Sequence, residues 1–442
     1  MSFSRAGCHS PRWWRPRCCC LLIATIAALA ATPAPALASS GGAASSGGAG
    51  VPAPPGNKPA SPQHPSSSPL NGRGMWIWYV SASSGGNLSS IIATARSYGL
   101  STVMIKSGDG ATMWSQFNSQ LVASLHAARL KVCAWQYVYG ARPVNEAEVG
   151  ATAVRAGADC LLIDAESEYE GRYIQAQTYV TKLRSLIGSR FPVGLAGFPY
   201  VDYHPGFPYS VFLGPGGAQY NVPQMYWPDI GTTVDTIYAH TFEFNAPYQR
   251  PIEPLGEVAG NPAPAQVLRF RQLSRAYGST GVSWWDWQQS TVRDWSAIDR
   301  PVGNLFGFTT QSTLPLLTPS GQGGISAGDL VVWAQEHLVA AGEAVQVDGV
   351  FGSATQAAVL QFQAARGLPA TGVVDPPTWQ ALLVNKPVAV TWVKQQNQTV
   401  AVVGRAGARR THLRLAVPRS ATLPARRNEI PPDLGAGTRA PR

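Results

Sequence analysis

The amino-acid sequence predicts an α/β chain: a (β/α)8 barrel followed by a small three-helix domain. Three observations lead there. Between residues 72 and 308, apolar strand-like runs alternate with amphipathic helix-like stretches, and eight such pairs can be counted. A Pro/Gly/Ser/Thr-rich stretch, residues 309–326, then interrupts the pattern, and a compact run of new helical periodicity occupies residues 327–385. No Gly-x-Gly-x-x-Gly follows the first strand, which disfavours a doubly wound open sheet.

The strands are expected at Met75–Val80, Thr102–Lys106, Lys131–Tyr137, Cys160–Asp164, Val193–Gly197, Val222–Tyr226, Ile252–Gly256 and Gly281–Trp285. They are short and nearly continuous in apolar residues, as parallel strands buried on both faces are. The helices between them are expected at Leu88–Tyr98, Ser119–Ala128, Glu146–Ala156, Ile174–Ile187, Val234–Phe244 and Ala265–Tyr277, with a short irregular connection at Tyr209–Leu213.

In the small domain, Val331, Ala334 and Leu338 share one helical stripe, and Ala358, Phe362 and Ala365 share another. Asp348-Gly349 and Gly352 make a tight connection before a helix that Ser353 should cap. The linker at 309–326 is expected to hold the two domains apart without a shared interface. Val388–Val403 reads as a hairpin around Gln395–Gln398.

The formal charge of +10 on 442 residues belongs to the ends. The first 38 residues carry four Arg and no acid, and the tail from Gly404 is net +7, leaving −1 for residues 39–403. A nearly neutral body argues against a nucleic-acid partner. Arg5, Arg12, Arg15 and Arg17, the apolar run Cys18–Ala31 and Ala36-Leu37-Ala38 together form a secretory signal over residues 1–38. That run is too short for a stable membrane anchor. Residues 39–71 are almost wholly Ser, Gly, Ala and Pro, a disordered tether. Residues 386–442 are expected to hold the hairpin and a disordered basic tail. The chain is expected to be a secreted, wall-associated monomer. Cys133 and Cys160 remain after the signal is removed, and two buried free thiols are expected rather than a cross-strand disulfide.

The chemistry gathers at one stretch, Ala158-Asp-Cys-Leu-Leu-Ile-Asp-Ala-Glu-Ser-Glu-Tyr-Glu170. An apolar strand runs into Asp164, Glu166, Glu168 and Glu170, which alternate. Residues two apart on an extended chain share a face, with Cα atoms roughly 6.5–7 Å apart. Asp164 and Glu166 therefore project together from the carboxyl end of a strand, and one should keep its proton near neutral pH, as a general acid must. Barrel active sites lie at that end of the strands. The other strand ends bring Trp76, Trp78, Lys106, Asp109, Gln136, Tyr137, Tyr139, Asp202, Tyr226, Trp227, Glu257, Trp285 and Asp286 to the same rim. Flat aromatic faces among carboxylates suit a sugar chain, which stacks on its C–H faces and is cut by protonating a glycosidic oxygen.

Three rim segments resemble the muramidase lysozymes of glycoside hydrolase family twenty-five. They are Val103-Met-Ile-Lys-Ser-Gly-Asp-Gly110, Tyr137-Val-Tyr-Gly-Ala-Arg-Pro143 and Leu162-Ile-Asp-Ala-Glu166. The last strand, Gly281-Val-Ser-Trp-Trp-Asp-Trp287, is also similar to the final strand of chitinase-type barrels. The resemblance departs at Met75-Trp-Ile-Trp-Tyr79, which lacks the first-strand Asp of the lysozymes. The small domain resembles the three-helix peptidoglycan-binding domain. Val331-Val-Trp-Ala-Gln-Glu-His-Leu338, Val347-Asp-Gly-Val-Phe-Gly352, Thr371-Gly-Val-Val-Asp375 and Thr378-Trp-Gln-Ala-Leu-Leu383 carry that likeness.

The resemblances imply peptidoglycan as partner and hydrolysis of its β-1,4 glycosidic bonds, with Asp164 and Glu166 catalytic. An inactive barrel that binds or scaffolds wall glycan is the alternative, and both stand at this point. The seven histidines form no ligand pair at helical or strand spacing, so no metal and no cofactor are called for. No Gly-x-Ser-x-Gly elbow occurs.

Overall fold

A computed structural model of the chain describes residues 68–403, apart from 304, 306, 307, 311, 312, 396 and 397. The expected secretory signal, most of the expected tether and the Arg-rich tail lie outside the described residues. Ser68, Pro69 and Leu70, inside the stretch expected as tether, are packed: Leu70 is buried and the Pro69 carbonyl accepts from the Thr102 hydroxyl at 2.6 Å.

Eight strands form the barrel: β1 Gly72–Ile77, β2 Thr102–Asp109, β3 Lys131–Val138, β4 Cys160–Ala165, β5 Val193–Ala196, β6 Tyr220–Asn221, β7 Leu255–Glu257 and β8 Gly281–Trp285. Neighbours pair in parallel from β1 through to β6, and β1 pairs on its other side with β8, which pairs with β7. The bridges Asn221↔Ile252 and Gln224↔Leu255 close the ring between β6 and β7. Regular pairing of β6 covers less than the expected Val222–Tyr226. Pro223 has no N–H to donate, so the ladder breaks there into single bonds, such as Gln224 N–H to the Gly197 carbonyl at 2.9 Å.

The strands point alternate side chains in and out. The inward set, Trp76, Met104, Trp135, Leu162, Ala196, Tyr220, Val222 and Leu255, fills the barrel. The outward set, including Val103, Ile105, Val132, Leu161 and Ile163, packs beneath the helices. These are α1 Leu88–Ser97, α2 Ser119–Ala127, α3 Pro143–Arg155, α4 Tyr173–Ile187, α5 Tyr209–Phe212, α6 Trp227–Ile230, α7 Val234–Asn245, α8 Pro264–Ala276 and α9 Val292–Asp299. Side chains cap several of them: Asn87 accepts from Ser90 N–H, Asn118 from Leu121 N–H and Thr233 from Thr236 N–H.

The two cysteines depart from expectation. They are bonded to each other rather than free. Cys133 and Cys160 are direct partners across β3 and β4, both face the barrel interior, and their Cα atoms lie 4.6 Å apart, within disulfide range.

The relation between the domains is also different from expectation. The small domain comprises α10 Asp329–Ala340, α11 Ser353–Ala365 and α12 Pro376–Leu382, followed by a hairpin of β9 Val390–Gln395 and β10 Gln398–Val403. It does not hang from a spacer. The barrel's helix after β5, α5, is a single turn, and α10 packs against it and against the turn Ala246–Tyr248. Every residue of α10 from Asp329 to Leu338 is buried, as expected of a helix covered on all sides. Asp329 anchors it. Its carboxylate accepts from Ser210 N–H, the Ser210 hydroxyl and the Tyr248 phenol, each at 2.7 Å, and from the Tyr173 phenol. The Trp333 indole donates to the Pro247 carbonyl at 2.7 Å. Gly328 has φ +105°, and a Cβ there would stand 2.6 Å from the Pro205 carbonyl oxygen, so only glycine permits this approach. The hairpin adds a second hold, with Trp392 against Tyr173 at 4.3 Å between ring centres.

Within the small domain, two buried glutamines do the same work. The Gln335 amide nitrogen donates to Asp348, Thr355 and the Val350 carbonyl, and the Gln363 amide nitrogen donates to Thr371, Thr378 and the Val373 carbonyl. Ser353 opens α11 but is not its cap; Gly352 holds that position, and Ala365 of the expected stripe is exposed. The linker is also built in, since the Pro315 carbonyl accepts from the Trp379 indole at 2.8 Å and Leu317 is fully buried.

Two outcomes follow. A chain ending near residue 310 strips α10 from the barrel and should melt well below the full chain or precipitate; equal melting temperatures would show that the barrel stands alone. In the full chain, Asp329→Ala leaves buried donors without an acceptor and should cost about 2–4 kcal/mol in denaturant unfolding. Separately, protein beginning at Ser39 should show no thiol on denaturation until a reductant is added. Loss of the Cys133–Cys160 bond, which closes a loop with a sequence separation of 27, should lower stability by about 3–4 kcal/mol.

Candidate active site

The inward column of β4 is Cys160, Leu162 and Asp164. The first two are inside the apolar barrel, so Asp164 emerges at its mouth, 7% exposed. Glu166, just past the strand, is half-buried. Both carboxylates turn to one side chain. The Gln224 amide nitrogen donates to Asp164 Oδ1 at 3.0 Å and to Glu166 Oε1 at 3.1 Å, using both of its hydrogens.

Burial first, then the Glu166 charge beside it, holds the Asp164 carboxyl well above the usual carboxylate range, while Lys106 opposes the shift. Burial pushes Glu166 up to about 7; the Gln224 hydrogen bond pulls it down, and the Glu168 charge pushes the other way. Two acids that share one amide at the mouth of an apolar barrel thus keep a proton available near neutral pH.

A second group stands beside them. Lys106, on the inward face of β2 after Met104, bonds Asp109 at 2.6 Å, and Asp109 accepts from the Tyr139 phenol at 2.8 Å. The ammonium lies over the rings of Trp114, Trp135 and Trp78 at 4.6, 4.8 and 5.2 Å. The Tyr137 phenol donates to Glu168 at 2.9 Å. Burial, and the charges of Glu166, Glu168 and Asp164, hold it far above the usual phenol value. Tyr226 is raised likewise by burial and by Asp164, Glu257, Glu166 and Asp286.

Aromatic rings form the wall: Trp285 lies 5.8 Å from Trp78, 5.5 Å from Trp135 and 6.1 Å from Trp76. The peptide between Trp285 and Asp286 is cis. Burial raises Glu257 to about 8 and Asp286 to about 6. Among the described residues, one carboxylate oxygen of each has no hydrogen-bond partner.

The structure thus brings together Asp164, Glu166, Lys106, Asp109, Tyr137, Tyr139, Tyr226, Trp78 and Trp285, with Glu257 and Asp286 bordering Tyr226. It places four others elsewhere. Gln136 points outward from β3 and donates to the Gly110 and Glu146 carbonyls beneath α3, fully buried. Trp227 is buried and stacks on Phe270 at 5.0 Å, under the helices. Asp202 pairs with His240 at 2.7 Å in the turn after β5. Trp76 is sealed within the barrel and donates to Ser283 at 3.1 Å.

Three site residues were not foreseen. Gln224 was within reach of the sequence, because Val222, Gln224 and Tyr226 alternate and Val222 faces inward. Glu168 is in the acidic run, but a 3-10 turn at Ser167–Tyr169 breaks the alternation, and only Tyr137 shows where it points. Trp114 follows the Thr112–Met113 strand, which folds back on β2, a short segment with no periodic signal.

Residues 327–382 match the family model of the peptidoglycan binding domain. No curated protein matches the chain. Solved structures similar to it include a class V chitinase from Nicotiana tobaccum, at 10% identity and a TM-score of 0.39 over 52% of this chain and 97% of that one. The spore cortex-lytic enzyme SleL of Bacillus megaterium QM B1551 matches at 9% identity and a TM-score of 0.38, over 52% of this chain and 73% of that one. An endo-1,4-β-mannanase from Rhizomucor miehei matches at 12% identity and a TM-score of 0.37, over 49% and 86%.

Proposed function

We propose that the protein is an exported cell-wall glycosidase that hydrolyses β-1,4 bonds of peptidoglycan, with its C-terminal domain holding the same polymer. The observation that carries this reading is the pairing of Asp164 and Glu166 through Gln224 at the barrel mouth, in a chain whose residues 327–382 match a peptidoglycan binding domain.

Glu166 is the general acid. Gln224 occupies its Oε1, which leaves Oε2 to carry the proton to the glycosidic oxygen as the C1–O bond breaks. With no acid in β1 to act as nucleophile, the carbonyl oxygen of the sugar's own 2-acetamido group attacks C1, and Asp164 accepts the amide N–H of that group. Glu166, now ionised, takes a proton from water as the water oxygen bonds C1 and the bond from C1 to the acetamido carbonyl oxygen breaks, which restores the acetamido group and gives the new reducing end. Lys106 would quench this chemistry if it paired with either acid. Its ion pair is with Asp109 instead, which supports catalysis over an inactive glycan-binding barrel.

Digestion of purified sacculi should release muropeptides with new reducing ends, and Glu166→Gln should lower that rate by about 10²–10⁴-fold. Undiminished digestion by the variant would remove Glu166 from the mechanism. The acid must be protonated to act, so kcat/KM should fall as pH rises through about 7. Gln224→Ala removes a donor that favours the carboxylate, so the alkaline limb should move to higher pH while the rate drops. A limb that stays in place, or moves down, would deny Gln224 this role.

A further inference from the structure

Among the described residues, the exposed aromatic side chains are Tyr79, at 39%, and Tyr203, at 61%. Neither belongs to the site described above, and single exposed aromatics on a surface need no explanation. Their placement does. Tyr79 follows the carboxyl end of β1, and Tyr203 is in the turn Val201–Tyr203 after β5. In an eight-strand ring, β1 and β5 are four places apart and therefore face each other across the mouth. Strand spacing and tilt make that ring about 15 Å across. Asp164, on β4, and Glu166, just past it, stand on the arc of the rim between them, next to β5.

Each ring is backed by others. Tyr79 stacks on Trp78 at 5.4 Å with 15° between planes, and touches Trp114 at 5.2 Å, so it continues the aromatic wall outward from the acids. Tyr203 stands edge-on to Tyr200 at 5.2 Å and to His240 at 5.6 Å. Its loop is held from two sides: His204 pairs with Glu170 at 3.0 Å, and the Pro205 carbonyl accepts from Asp329 N–H at 2.8 Å. The second of these contacts comes from the peptidoglycan-binding domain itself, so the loop that carries Tyr203 touches that domain.

We infer that one glycan strand lies across the barrel mouth, with additional sugar residues stacked on Tyr79 and on Tyr203 at opposite edges, leaving past Tyr203 toward the small domain. The inference rests on the glycosidase reading only for the identity of the ligand. An exposed aromatic face costs little to cover with the C–H face of a sugar, and rings held by neighbouring rings lose little freedom when they do so. A strand gripped on both sides of the acids is cut within its length rather than from an end.

Binding separates this inference from catalysis. The full chain carrying Glu166→Gln should be titrated calorimetrically with purified peptidoglycan glycan strands and with the disaccharide repeat. Tyr79→Ala and Tyr203→Ala should each weaken strand binding by about three- to tenfold, a far larger loss than for the disaccharide, and Tyr79→Trp and Tyr203→Trp should restore it. Equal strand affinity in all variants, or equal losses for strand and disaccharide, would overturn the path. A wild-type chain that binds with this length dependence but never cuts would end the glycosidase reading and leave the path standing.

Discussion

The alternation of β4 is the constraint on which the rest depends. One inward column carries Cys160, Leu162 and Asp164, and so joins three jobs in five residues. The sulfur ties β4 to β3, the leucine fills the barrel, and the carboxyl arrives where packing ends and solvent begins. A slip of one residue would turn all three outward under the helices. The raised pKa of both acids follows from that position more than from any single partner. Burial is the largest influence on both Asp164 and Glu166, and the mutual charge, Gln224 and Lys106 adjust what burial has set. Lys106 is spent on Asp109 within a cage of three tryptophans, so the positive charge at the mouth lowers the cost of the acids without neutralising them.

The second constraint is an omission. The chain supplies only one helical turn after β5, and the helix layer there is completed from residues more than a hundred positions later. A helix that must be covered on all sides cannot serve on a loose tether, and the buried Asp329 with its Ser210, Tyr173 and Tyr248 donors fixes its pose. The small domain is thereby packed into the helix layer of the barrel, and the loop that carries Tyr203 is part of the contact.

Much of this was legible in the sequence. The eight strands stand near where the apolar runs put them, because buried parallel strands leave a strong compositional mark. Asp164 and Glu166 could be placed together at the barrel mouth because alternation survives to the strand end. Gln136 was misplaced because a strand-end position says nothing of parity, and its neighbours Trp135 and Tyr137 take the inward face. Trp227 opens α6 and Asp202 lies in the turn Val201–Tyr203, both past the strand ends, where alternation has stopped. The disulfide was missed for want of register, since spacing along the chain does not say that Cys133 and Cys160 are opposite each other. The interface was missed because a Pro- and Gly-rich linker reads the same whether it spans a gap or, as with Pro315 and Leu317, is packed.

The central claim is that position at the barrel mouth keeps Glu166 protonated near neutral pH, ready to donate. Carbon-13 NMR of the side-chain carboxyls, followed through a pH titration and assigned with Glu166→Gln, measures this without substrate. A Glu166 midpoint near 7 is expected. A midpoint near 4.5, the value for an unburied glutamate, would contradict it.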